Sequence, residues 1–433
     1  MITRDYSRNV ISPEEYQDLK AIAGVQISEM TLEDHPNLLI FPDSFESYDR
    51  DFGRKVICHI ESDMLYTNSI VGFVGRNCTN LSIHSRFSTD KDKDYFLHYM
   101  LQKVAKINLF SLQHSLDEDS VFDFLLYLFP AYLKKALNQG LYRKYITKEY
   151  NDANIRGVVD ISRHIRHNIP FNGKVAYSSR EFSYDNEVTQ LVRHTIEFIS
   201  RQAGGMDILN ADLEARQAVA EIIRATPSFS LTEVHSIINS NLRPVTHPYY
   251  SEYTPLQRLC LQILRHEELK YGQDENEIYG VLIDAAWLWE EYLAILLKDK
   301  YTHCQKDDGK RFNLFDNFQQ IIPDYLALNK STVADAKYIP LNRQETYFEE
   351  KATAIYYKTI TYMYRFCTRH GFLFYPNSSD SCAQEDLRIK TEQTGVNGGT
   401  ITKLGLRIPS GCCEFEDFCT KMHIAEQEFI RLA

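Results

Sequence analysis

The spacing of apolar positions changes along the chain, and each change marks a different kind of structure. Near the N-terminus NLLIF (37–41), KVICHI (55–60), SIVGFVG (69–75) and NLSIHSRF (80–87) are short β-branched or aromatic runs separated by Asp, Asn and Gly, a pattern that predicts strands. From Asp94 the period lengthens to three and four. Phe96, Tyr99, Met100, Lys103 and Val104, and then residues 122–137, predict helices that end near Gly140. Residues 1–140 thus read as a β-rich and helical region. TQLVRHTIEFI (189–199) and LQRLCLQILRHEEL (256–269) predict further helices, parted by the Pro-containing linker LRPVTHPYYSEYTP, so 141–270 reads as a basic segment and a helical middle region. After Tyr279 the order becomes helix, strand, strand, helix, strand, and 377–400, polar and Gly-rich, is expected as a mobile loop. The fold class that follows is mixed α/β.

At 433 residues and roughly 150 per domain, two or three domains are expected. The net charge of −11 excludes a chain that coats nucleic acid or an anionic membrane through bulk charge. Residues 141–180 run against it, with Arg143, Lys144, Lys148, Arg156, Arg163, Arg166, Lys174 and Arg180 facing only Glu149, Asp152 and Asp160. This basic helix-and-loop segment reads either as a contact for DNA or an acidic partner through Arg156, Arg163 and Arg166, or as a solvated face. Nine cysteines without a CxxC pair indicate a reduced, cytoplasmic protein, and the most apolar window, 121–133, is interrupted by Asp123 and Pro130 and reads as a buried helix, with no membrane partner. Cys412, Cys413, Cys419 and His423 match no standard zinc knuckle. The absence of GxxxxGK[ST] and GxGxxG patterns means that no nucleotide is expected on this chain itself.

The residues that carry chemistry lie in IIPDYLALNKSTVADAKYIPL (321–341). Two strand-like runs flank the turn residues Asn329, Lys330 and Ser331, which predicts a β-hairpin. Asp335 and Lys337, two apart, share one face, and Ala334, Ala336 and Tyr338 take the other. A connection with an even number of residues, such as a two-residue Asn329-Lys330 turn, sets Asp324 opposite Asp335, about 4.5–5.5 Å away at Cβ, where two carboxylates can share one hard cation. An odd loop would spoil this register. Carboxylates near a core require an ion pair or a metal, and carboxylates with a lysine suit metal-assisted phosphodiester hydrolysis. In LIDAAWLWEEYLAILL, helical periodicity places Glu290 at the edge of the buried stripe and Glu291 nearly opposite, so Glu290 is the candidate third acid.

Pro323-Asp324, Asp335-Ala336-Lys337, the preceding Glu290 and the helix that follows over 352–366 resemble the PD-(D/E)xK nuclease core. GVVDISRHIRHNIPFNGKVAY, DNEVTQLVRHTIEFI, HPYYSEYTPLQRLCLQILRHE, LIDAAWLWEEYL, VADAKYIPL and GFLFYP further resemble the LlaJI-type family of restriction endonuclease subunits, related to McrC, from about Gly72 to Pro409. The resemblance implies a C-terminal PD-(D/E)xK endonuclease domain over 271–433, with a central mixed sheet flanked by helices. It implies Mg²⁺, or Mn²⁺, on Asp324, Asp335 and Glu290, with Lys337 completing the catalytic set, and cleavage of double-stranded DNA. It also implies a partner, a hexameric McrB-like AAA+ GTPase that recognises and translocates DNA and whose hydrolysis an N-terminal part of the chain stimulates. The chain departs from the family at one point. A Gln followed four residues later by Tyr is typical, whereas here Lys358 precedes Tyr362, a pair that reads as an accessory phosphate contact. A catalytically degenerate activator of the AAA+ ring and a stand-alone repair nuclease are the rival readings.

Overall fold

The computed structural model describes residues 1–30, 35, 38–42, 55–77, 79–88, 93–105, 118–270, 278–304, 312–316, 318–341, 346–378, 384–392 and 398–433. Contacts divide the chain differently from the three-part expectation. One compact unit joins 1–124 to 271–433, and the other is 125–270.

The reason lies in strand Ile278–Asp284, which belongs to the N-terminal sheet. It lies between Ile70–Arg76, antiparallel, and Leu38–Phe41, parallel, with Thr79–His84 and Ile2–Arg4 completing five strands. Its approach to Ile70–Arg76 needs glycine: Gly72 has φ +123°, and a Cβ there would meet the Val281 carbonyl oxygen at 2.1 Å. Ile40, Ile70, Val74, Leu81, Ile83 and Leu282 form the core beneath this sheet. Asp284 then ends the strand and starts the next helix, accepting from the Ala286 N–H at 3.0 Å while Lys55 pairs with it at 2.8 Å. Helix Ala285–Leu296 therefore leaves the first sheet directly and passes to the second.

That second sheet has six strands in the order Tyr301–His303, Tyr325–Ala327, Thr332–Ala336, His370–Asn377, Thr400–Arg407 and Gln384–Arg388, with parallel pairing at its centre and antiparallel pairing at both sides. Leu326, Val333, Leu373 and Tyr375 form one face and pack on Tyr362 and Met363 of helix Thr346–Arg365. Phe374 belongs to the other face, where the Trp289 indole donates to its carbonyl at 3.4 Å and the Phe429 ring of helix Phe415–Leu432 lies 5.2 Å away. The expected mixed sheet between helices is thus present. The 377–400 stretch differs from the loop expected there: Gln384–Arg388 is an edge strand, and 379–383 and 393–397 lie outside the described residues.

In the second unit the basic segment, expected as helix and loop, does hold a helix at Ile161–Asn168, but most of its remainder is strand. Lys144–Asp152 and Val175–Ser183 pair antiparallel over their whole length, with Val158–Val159 and helix Ile161–Asn168 alongside. YITKEYND alternates half-buried and exposed positions with period two, but both faces are polar enough that no apolar alternation announces it. Helix Glu187–Arg201 follows, its first turn closed by a capping box between Asn186 and Thr189.

Trp289 is buried completely between the two sheets of the first unit, touching Phe96 and Tyr292 as well as Phe374. Trp289→Ala is expected to cost about 3–5 kcal/mol, read as a lower denaturant midpoint with an unchanged slope.

Candidate active site

Tyr325 pairs with Ala334 and Leu326 with Val333, so the next step of the same register sets Asp324 opposite Asp335. The connection contains an even number of residues, as this register requires. It is four residues long, 328–331, and not two: Lys330 adopts φ +56° and its N–H returns to the Ala327 carbonyl at 2.7 Å. Asp324 stands where the ladder opens. Its Oδ2 accepts the Ala336 N–H at 2.7 Å, a bond that an ordinary strand would make to a carbonyl, and its own carbonyl accepts from Cys304 at 2.9 Å.

Asp335 is fully buried and two ammonium groups answer its charge. Lys337 pairs with Oδ2 and also donates to the Ala336 carbonyl at 3.0 Å, while Lys358 reaches Oδ1 at 3.3 Å. Burial pushes the Asp335 pKa up, but Lys337 and Lys358 outweigh it and bring the group down to about 2. Asp324 moves the other way. Burial raises its pKa well above the ordinary carboxyl range, and the charges of Asp335 and Glu290 add to that rise. The surroundings thus push the two facing carboxyls in opposite directions, Asp335 toward its charged form and Asp324 toward its neutral one. Both lysines stay charged, because Asp335 and Asp324 more than offset the penalty of burial.

Helix Thr346–Arg365 brings Lys358 into this group, but Tyr362 serves a different purpose from a phosphate contact. It is buried, and its hydroxyl donates to the Ile322 carbonyl at 2.8 Å, fixing the chain two residues before Asp324. Glu290 approaches from the opposite face of the sheet. The Tyr325 hydroxyl donates to the Glu290 carbonyl at 2.5 Å, so the helix is tied to the residue after Asp324 and the Glu290 charge is felt there. Arg156, Arg163 and Arg166 belong to the other compact unit. Arg156 donates to the Tyr177 hydroxyl at 3.2 Å and lies over Tyr150, Arg163 pairs with Glu149 at 3.4 Å, and Arg166 is exposed. Part of the local positive excess is therefore consumed within the module itself.

The donor set suits a hard dication. Asp324 and Asp335 face each other, and the buried Asp335 Oδ2, although ion-paired with Lys337, lies outside hydrogen-bond geometry. Mg²⁺ is commonly held by one or two carboxylates and keeps several waters, so two are enough. Among the described residues no three His, Cys, Asp or Glu side chains converge as a metal cage, and Glu290 bears on the pair through its charge.

The family model described as "McrBC 5-methylcytosine restriction system component" matches residues 65–376. The chain belongs to this McrBC family. Two solved structures are similar to it. A refined half-complex from a tetradecameric assembly of Thermococcus gammatolerans McrB AAA+ hexamers with bound McrC is 12% identical over 98% of this chain and 99% of that chain, with a TM-score of 0.48. A cryo-EM structure of the Thermococcus gammatolerans McrBC complex is 13% identical over 69% of this chain and 87% of that chain, with a TM-score of 0.33. No curated protein matches the sequence. Among the described residues of this McrBC family member, no helix is long and apolar enough to cross a membrane.

Sequence reasoning missed Tyr325 and Tyr338, the residues that follow Asp324 and Lys337. The Tyr338 hydroxyl meets the Ser85 hydroxyl at 2.5 Å, and the Arg86 guanidinium, held by Asp5 at 2.6 Å, lies 5.3 Å from its ring. The signal was present as an aromatic residue directly after each charged one, but its partners lie 35 and some 250 positions away in sequence. The opposed shifts set opposite signs for stability. A lowered pKa means that ionised Asp335 contributes stability above the ordinary value of 3.8, lost as pH falls through about 2; a raised pKa means that ionising Asp324 costs stability as pH climbs above 3.8. At pH 7 Asp324→Asn is expected to raise the melting temperature and Asp335→Asn to lower it, each by on the order of 2 °C or more in a calorimetric scan.

Proposed function

We propose that this McrBC family member is the McrC-like subunit that cuts double-stranded DNA by metal-dependent phosphodiester hydrolysis. The observation that carries this reading is the opposition of Asp324 and Asp335 with Lys337 on the same face. Asp324 and Asp335 would hold Mg²⁺ or Mn²⁺, Glu290 adding negative charge from behind. When bound, such a cation polarises the phosphoryl oxygen and acidifies a water. Lys337, kept charged by both aspartates, orients that water or stabilises charge developing on the phosphate. Lys358, half exposed and already on Asp335, is suited to a nonbridging phosphate oxygen once the cation takes over its place at the carboxylate.

The McrBC family assignment further supports a hexameric McrB-like AAA+ GTPase as the partner that recognises and translocates DNA, with this chain stimulating its hydrolysis. Exposed Arg166 is the better placed of the three arginines for a contact with that partner or with DNA. One observation favours a second reading, a catalytically degenerate activator: Lys358 occupies an oxygen of Asp335 where the family has an amide.

A plasmid-cleavage assay with the cognate GTPase, GTP and Mg²⁺ separates the two. The wild-type chain is expected to cut, and Asp335→Ala or Lys337→Ala to lower the rate at least ~10²-fold while still co-eluting with the partner. Full cleavage by either variant would mean that the site is wrongly placed, and an intact complex that never cuts would favour the activator.

A further inference from the structure

The chain reaches Asp324 through a small hairpin whose tip presents two aromatic rings to water. Phe312 pairs with Ile321 and Asn313 with Gln320, leaving a tip that contains Phe315 and Phe318. The hairpin is held firmly at its base. The Arg365 Nε–H donates to the Asn313 carbonyl at 2.6 Å, the Phe312 ring meets Phe366 edge-on at 4.8 Å, and both Phe312 and Ile321 pack against the core beneath the sheet. Backbone bonds cross the described residues of the tip, with Leu314 N–H bonded to the Gln319 carbonyl at 2.8 Å and Phe315 N–H to the Phe318 carbonyl at 3.3 Å. Even so, Phe315 and Phe318 are 52% and 66% exposed, stacked with centroids 4.8 Å apart and ring planes within 23°. Two stacked phenyl rings in water on an anchored element are not a residue of packing, because the same hairpin half-buries its other apolar side chains, Phe312, Leu314 and Ile321.

Helix Thr346–Arg365, which anchors the hairpin, continues the pattern. Tyr357 and Tyr364 are 67% and 83% exposed and seven residues apart, so they lie on one face about 10 Å from each other. Each is followed by a cation, Lys358 at the Asp335 carboxylate and Arg365 at the hairpin base. Rings interleaved with cations suit single-stranded or unstacked nucleic acid, the cations taking phosphates and the rings taking bases. The core of a protein interface is instead depleted of charge. Asp316 between the two phenylalanines repels phosphate, which suits the tip to bases and not to the backbone.

We infer that the Phe315–Phe318 tip stacks on unpaired or unstacked bases beside the phosphodiester presented to Asp324 and Asp335, with the Tyr357 and Tyr364 face of the helix continuing the DNA track. The inference rests on the nuclease reading, and its test is chosen to fail separately. The full-length chain is titrated, with EDTA and at about 50 mM salt, into a fluorescein-labelled 30-base-pair duplex and into the same duplex with a three-nucleotide central bubble carrying 2-aminopurine. The wild-type chain is expected to bind the bubble more tightly than the duplex and to change the 2-aminopurine signal. Phe315→Ala/Phe318→Ala is expected to lose about tenfold or more of the bubble affinity and that change, with an unaltered melting temperature, and Phe315→Trp/Phe318→Trp to retain both. Equal affinities for the two probes, no binding at all, or an alanine variant that binds as the wild type does would overturn the inference. So would an alanine variant that loses only its assembly with the AAA+ partner, which would make the tip a protein-docking surface. Retained cleavage by Asp335→Ala would instead remove the nuclease reading without touching the DNA affinities.

Discussion

One buried anion organises the C-terminal half of the chain. Asp335 lies inside the sheet, and a carboxylate there is tolerated only because two ammonium groups converge on it from different elements. Lys337 comes from two residues on, directly after the same strand, and Lys358 from the helix that covers that face. The strand can therefore not shift register, nor the helix rotate, without stranding a charge. Asp324 is the counterpart that this arrangement does not satisfy. It gives one oxygen to the Ala336 N–H and otherwise faces another carboxylate, so its charged form is disfavoured. Two lysines on one acid beside a second acid whose charged form is disfavoured leave stability unclaimed at this point of the fold, as functional centres commonly do.

The rest of the first unit holds this centre from behind. Strand Ile278–Asp284 is threaded into the N-terminal sheet and continues into helix Ala285–Leu296, which the Tyr325 hydroxyl pins next to Asp324. Tyr338 performs the same service beyond Lys337, where Ser85 and the Asp5–Arg86 pair receive it. One end of the acidic hairpin is thus tied to helix Ala285–Leu296 and the other to Ser85, the residue after strand Thr79–His84, each by an aromatic hydroxyl. That explains why the N-terminal and C-terminal residues form one compact unit although some 150 residues separate them in sequence.

Legibility in the sequence followed the range of the interactions. Strands such as Ile70–Arg76 and helices such as Glu187–Arg201 are set by local periodicity and capping, and their positions are plain in the residues. The opposition of Asp324 and Asp335 was legible for the same reason, because hairpin register depends only on the parity of a short connection. The basic segment misled because strands with two polar faces leave no apolar alternation to find. The placement of Ile278–Asp284 in the N-terminal sheet could not be read at all, since an apolar run carries no mark of which distant strands will flank it. Tyr362 shows the limit at a single residue: its spacing from Lys358 puts both on one side of a helix, but only the fold decides that the ammonium meets Asp335 and the hydroxyl meets a backbone carbonyl.

The net charge of −11 acquires a different meaning against this geometry. Averaged over the molecule it opposes DNA, but electrostatic attraction at physiological salt acts over about 8 Å, so only charges within that reach of a phosphate decide whether it can approach. Around the carboxylate pair those charges are Lys337 and Lys358, with Arg365 two turns further along the helix. On the proposed nuclease reading, bulk repulsion would weaken unaided capture of DNA from solution, while the local cations would still admit a delivered phosphate beside Asp335. An acidic chain with a cationic threshold would, on that reading, favour delivery of DNA by a partner over independent search.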